Sequence, residues 1–162
     1  SNKWAKKNIC KQAELNNINS SRIIFANNLP HLEHLERQRH ADIFLDTFNY
    51  NAHTTASDAL WGGLPIVTKQ GTQFAARVAS SLLSALDLNE LITHTDEEYE
   101  KLILDYASQP IILKEIKEKL NRNKNHKPLF NTQKYTHDFE LGMRKIHELY
   151  FNGEKPRDII IN

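Results

Sequence analysis

The stretch IFLDTFNYNAHTTASDALWGGLPIVT, residues 43–68, decides the fold. It opens on the short apolar run Ile43-Phe44-Leu45 and closes on a second, Pro65-Ile66-Val67-Thr68. Between them, small and apolar residues from Thr54 to Trp61 recur at helical spacing and run into Gly62-Gly63, a pair that stops a helix. Apolar runs this short, without polar alternation, belong to strands covered on both faces. A helix joining two of them is the crossover of a parallel sheet.

The same alternation extends outward. Ile23-Ile24-Phe25-Ala26 reads as a further buried strand, followed by Pro30 at a first helical position and a helix to about Arg39. Downstream, a third helix is expected from Phe74 to Leu86 and a short fourth strand at Leu91-Ile92. The pattern predicts an α/β domain built on a Rossmann-like parallel sheet. The second half turns helical. Asp96 opens a helix with Glu97, Glu98 and Glu100 in its first turns, where the helix dipole favours negative charge. After a break at Pro110, a helix is expected from Ile111 to about Asn121, then a polar break over 121–127. A long amphipathic helix follows over 131–151, with Tyr135, Phe139, Met143, Ile146 and Tyr150 at three- or four-residue spacing. Residues 153–162 read as a tail. Residues 1–15 read as a helix whose preceding strand is missing, so residues 1–152 are expected to be one domain cut inside its sheet, a piece of a longer polypeptide.

Composition narrows the function. The 162 residues suffice for one compact domain with a core. A net charge of +1 gives no field that would gather nucleic acid or an anionic membrane, so neither is an expected partner, and any phosphate site must be local. Cys10 is the only cysteine, which rules out an intramolecular disulfide and fits a reducing, cytoplasmic setting. No apolar run approaches the roughly 20 residues that span a bilayer, and the polar, basic start is not a signal peptide.

In an open parallel sheet, ligands bind beyond the carboxyl ends of the strands. Two segments in such places carry unusual chemistry. In residues 51–58, His53, Thr54 and Thr55 stand at a predicted helix start, where backbone N–H groups and the dipole favour an anion and small hydroxyl residues let phosphate oxygens approach. Asp58, one turn on, could accept hydrogen bonds from a ribose diol. The plain alternative is a helix capped by Thr54 or Thr55. In residues 28–37, His31, His34 and Arg37 share roughly one helix face, suited to stacking on a base and reaching its oxygens. The alternative there is a metal site shared with His40 or His53, which lacks a cysteine cluster or acidic partner to complete it.

Several blocks, in order, resemble one family. Phe44-Leu45-Asp46-Thr47, Asn51-Ala52-His53-Thr54-Thr55 and the run from Ser57-Asp58 through Trp61-Gly62-Gly63-Leu64-Pro65 to Thr68 are similar to the signature of the protein O-linked N-acetylglucosamine transferases, the SPINDLY/O-GlcNAc transferase family. Ala76-Arg77-Val78-Ala79-Ser80-Ser81, the block from Pro128-Leu129-Phe130 to Thr136, and Gly153-Glu154-Lys155-Pro156 resemble later blocks of it. The resemblance implies the donor-binding C-terminal half of a GT-B glycosyltransferase, with C-terminal helices and, in the parent protein, tetratricopeptide repeats. It implies a metal-independent, inverting transfer from a UDP-sugar to Ser or Thr of an acceptor protein, with no cofactor. It places His34 on uracil, the Leu29 backbone on the base with Arg37 nearby, His53, Thr54 and Thr55 on the diphosphate as leaving-group stabilisers, and Asp58 on the ribose. His31 departs from the family pattern, which commonly has Lys there to help hold the nucleotide. A second donor-site Lys and the proposed catalytic His of the family lie outside this sequence. No catalytic base is therefore expected within it. A non-catalytic nucleotide-binding or interaction module descended from the family is the alternative. The exposed stripe of the last helix makes self-association expected.

Overall fold

The computed structural model describes residues 2–161, which divide into two compact units, one ending at His34 and one beginning at Leu35. In the first unit, α1 (Lys3–Leu15) starts at Asn2, whose side chain accepts from the Trp4 N–H at 2.9 Å, a side-chain N-cap. Ser20 donates to the Glu14 carboxylate at 2.7 Å, and the Lys6 ammonium stands 5.1 Å from the Phe25 ring centre. Residues 23–26 are not a strand. Ile24 is 88% exposed and the segment belongs to no ladder among the described residues. Apolar, β-branched composition favours extended backbone, but a strand exists only where a neighbour accepts its hydrogen bonds. Helix α2 (His31–Gln38) starts one residue later than expected: Pro30 precedes it, and its carbonyl accepts from the His34 N–H at 2.9 Å.

The second unit contains the sheet. Strands β1 (Phe44–Leu45), β2 (Ile66–Lys69) and β3 (Ile92–Thr93) pair in parallel in the order β1-β2-β3, with Phe44 beside Ile66 and Thr68 beside Ile92. Helix α3 (Thr54–Gly62) joins the first pair and α4 (Val78–Ala85) lies between the second. Successive strand residues point to opposite faces. Ile66, Val67 and Thr68 are all fully buried, so both faces of β2 are covered. The core gathers Leu60, Ile66, Leu83, Leu86, Leu88, Leu91 and Leu120 around it. Gly63 ends α3 with φ 86°, in the left-handed region, and a Cβ there would meet Asn121 Oδ1 at 3.2 Å.

The last expected strand, Leu91-Ile92, is shifted by one residue to Ile92–Thr93, with Leu91 in a 3-10 turn, and two expected helices differ in extent. The third helix is split into a 3-10 turn at Phe74–Ala76 and α4. The reason is competition for acceptors. The Asn51 N–H takes the Ala75 carbonyl and the Gly71 N–H takes that of Ala76, both at 2.8 Å, so neither serves a helix ladder. The polar stretch after Asn121 does not break a helix, since α6 runs Pro110–His126. Asn123 donates to the Leu86 carbonyl at 2.7 Å and Lys124 to that of Trp61 at 3.3 Å, so tertiary bonds hold the polar turns helical. Helix α5 (Asp96–Ser108) begins in a capping box of Thr95 and Glu98, and the His94 and Thr95 amides hold the Glu98 carboxyl below its usual range. Helix α7 (Thr132–Phe151) closes the unit, its Tyr135, Phe139, Met143, Ile146 and Tyr150 all more than half exposed. The tail carries no helix or strand among its described residues. It folds back along α7, where Lys145 donates to the Ile160 carbonyl at 3.3 Å.

Candidate functional site

In the second unit, the carboxyl ends of β1 and β2 lead to one cluster of side chains. Asp46 follows β1 directly and is 4% exposed. One of its carboxylate oxygens accepts from the backbone N–H of Thr47 at 2.9 Å and of Ala52 at 2.7 Å, and the other accepts from the Thr68 hydroxyl at 2.7 Å. A buried carboxylate needs such donors. Here they fold residues 46–52 into a loop whose end is tied back to its start and to β2. The Tyr99 hydroxyl donates to the Asp46 carbonyl at 2.9 Å, and burial, reinforced by the Asp46 charge, pushes that phenol up to about 12. Lys69, at the end of β2, pairs with Asp96 and stands 4.2 Å from the centre of the Phe48 ring.

This loop delivers His53 to the start of α3. His53 occupies the N-cap position, and its side chain makes no capping bond. Thr54 and Thr55 are the first two helical residues and both are exposed, so the expected alternative of a threonine cap is not what forms. The first amides of the helix therefore lack a side-chain acceptor, the condition under which a helix start attracts an anion. Asp58 lies one turn further along, half-buried. The His53 ring stacks on Tyr50, with centroids 4.7 Å apart and planes 10° apart, and meets Phe74 edge-on at 6.0 Å and 90°. Its Nε2 is buried and has no hydrogen-bond partner among the described residues, and the same holds for Asn51 Oδ1. An orphaned buried nitrogen costs about 1–3 kcal/mol, so such a group calls for an explanation, a role in a site among them.

His53, Thr54, Thr55 and Asp58 are thus brought together at one helix start. Helix α2 carries His31, His34 and Arg37; His31 is exposed, His34 and Arg37 are half-buried, and Leu29 before it is 37% exposed. Among the described residues, no group of three His, Cys, Asp or Glu side chains is placed to share a metal ion. Sequence reasoning missed Asp46, Tyr50, Asn51 and Phe74 as parts of the cluster. Phe74 is more than 20 residues from His53, and nothing in the pattern joins them. Asp46 left a signal, since it stands directly after an apolar strand run, where ligands of an open parallel sheet gather. Phe74 also lines a cavity of about 540 Å³ with Gln70, Arg77, Ser80, Ser81 and Ser84.

The profile of glycosyl transferase family 41 matches residues 3–139. The chain belongs to that family. A UDP-N-acetylglucosamine–peptide N-acetylglucosaminyltransferase of Caenorhabditis elegans is 35% identical over 145 residues, 90% of this chain and 12% of the relative. Two plant proteins described as probable enzymes of the same activity are similar. SEC of Arabidopsis thaliana is 33% identical, covering 86% of this chain and 14% of the relative; SPINDLY of Hordeum vulgare is 35% identical, covering 79% and 14%. A solved structure of a mutant O-GlcNAc transferase from Thermobaculum terrenum superposes with a TM-score of 0.82 at 28% identity, covering 89% of this chain and 28% of that one. The family 41 chain therefore has the fold of part of a GT-B glycosyltransferase, and spans only 12–14% of the length of these curated relatives. No helix among its described residues is long and apolar enough to cross a membrane.

Proposed function

We propose that this family 41 chain, through residues 1–152, forms the donor-binding half of an inverting protein O-glycosyltransferase, which transfers N-acetylglucosamine from UDP to Ser or Thr hydroxyls of acceptor proteins. The observation that carries the proposal is the helix start at His53, with uncapped amides and a buried imidazole nitrogen lacking a partner. His53 and the amides of Thr54 and Thr55 hold the diphosphate, and Asp58 accepts from the ribose hydroxyls. Leu29, through its backbone, His31, His34 and Arg37 serve the base. As the glycosidic bond breaks, negative charge grows on the departing diphosphate. Fixed donors and the dipole of α3 aimed at that charge lower the barrier without a metal ion or other cofactor. The acceptor hydroxyl and its base come from the facing half of the full-length protein, with tetratricopeptide repeats presenting acceptor proteins in the cytoplasm. The apolar stripe of α7 supports self-association of the chain by itself, because an exposed apolar patch of this kind tends to be covered.

Thr54→Val and Asp58→Ala in the full-length protein are each expected to weaken UDP binding by about 1.5–3 kcal/mol, the worth of a hydrogen bond to a charged group. Circular dichroism should show both variants folded. Calorimetry finding UDP affinity unchanged in both would contradict the assignment and favour a module in which this helix start binds nothing.

A further inference from the structure

Resting on the diphosphate reading above, we infer that Tyr50 is a positioning residue for the donor site: it fixes the plane of the His53 ring, and with it the direction in which Nε2 can make a hydrogen bond. The torsion that turns an imidazole about its Cβ–Cγ bond is broad, so rotamer preference alone does not aim the ring. Two aromatic contacts at right angles do. Tyr50 lies parallel to His53, at 4.7 Å and 10°, and Phe74 meets it at 6.0 Å and 90°. The first contact sets the plane of the ring and the second opposes its rotation within that plane.

The segments carrying the two aromatic residues are themselves joined. The Thr47 hydroxyl donates to the Tyr50 carbonyl, and Asn51 Nδ2 donates to the Thr47 carbonyl at 2.7 Å. The Asn51 N–H donates to the Ala75 carbonyl at 2.8 Å and Gln73 Nε2 to the Asn49 carbonyl at 3.0 Å. Tyr50 is nonetheless 64% exposed and Phe74 73% exposed. Neither belongs to the core, so little of their value lies in burial. What Tyr50 supplies is orientation, and a directional hydrogen bond weakens steeply when misaligned.

The test is calorimetric, on the full-length protein, with UDP and with uridine as probes. Tyr50→Ala is expected to weaken UDP about three- to tenfold, the worth of one aromatic pair, and to leave uridine affinity within about twofold. Tyr50→Phe keeps the stack and should bind UDP within about twofold of the unaltered protein. In a His53→Ala background, Tyr50→Ala should cost nothing further, because Tyr50 acts only through that ring. Parallel losses of UDP and uridine would show a general structural role and overturn the inference. So would an undiminished loss in the His53→Ala background. UDP affinity unchanged or raised in Tyr50→Ala, with a clear loss in His53→Ala, would overturn this inference and leave the diphosphate site standing. Unchanged UDP affinity in His53→Ala would overturn the site and the inference together.

Discussion

Asp46→Ala is expected to destabilise the second unit by about 4 kcal/mol, read as a lowered midpoint in chemical denaturation of the chain. Its carboxylate takes three donors. Thr47 is exposed, and water can replace the carboxylate at its amide. The Thr68 hydroxyl is fully buried and the Ala52 N–H lies part-buried, and removal of their acceptor leaves each at a cost of about 1–3 kcal/mol. Loop 46–52 also loses the tie that returns Ala52 to the end of β1, so UDP binding should fall together with stability. Asp46→Asn is the intermediate case. It keeps the volume and one acceptor oxygen but presents an NH₂ to one of the donor sets, and should fall between the native residue and alanine. A loss below about 1 kcal/mol in Asp46→Ala would mean that the loop is held by its other contacts, chiefly Asn51 and Tyr99.

The second large effect concerns activity. The 162-residue chain assayed alone is expected to transfer no sugar to a peptide and to bind UDP weakly, at about millimolar Kd. Its helix start and Asp58 address the donor, but the proposed roles leave the acceptor hydroxyl and its base to the facing half. Holding donor and acceptor in attacking geometry contributes about 7–11 kcal/mol of the barrier, so half a cleft should lose activity below detection. Peptide glycosylation and donor hydrolysis by the purified chain measure this. Turnover comparable to that of the full-length protein would place the chemistry within these residues and move the active site.

The elements read best from sequence were those fixed by local chemistry. Gly62-Gly63 stops α3 because one residue there takes positive φ, and Ile66-Val67-Thr68 declares a strand because it is apolar on both faces. His53, Thr54 and Thr55 were legible as a helix start for the same reason. What escaped the sequence depends on distant partners. Ile23 to Ala26 has the composition of a strand but no ladder to join among the described residues. Phe74 and Ala75 look helical, yet the Ala75 carbonyl is taken by Asn51. The polar turns of α6 look like a break, yet Asn123 and Lys124 bind carbonyls from other segments. The ring cluster around His53 was illegible on the same ground, since Tyr50 and Phe74 both reach His53 only once the loop and the 3-10 turn are tied together.

On the function proposed above, the start of α3 receives the diphosphate of a UDP-sugar. The most direct measurement is a crystal structure of the full-length protein with UDP. Phosphate oxygens are expected within hydrogen-bond distance of His53 Nε2 and of the Thr54 and Thr55 amides, at about 2.7–3.2 Å, with the ribose on Asp58. A diphosphate seated elsewhere, with His53 Nε2 still lacking a partner beneath Tyr50, would contradict that placement.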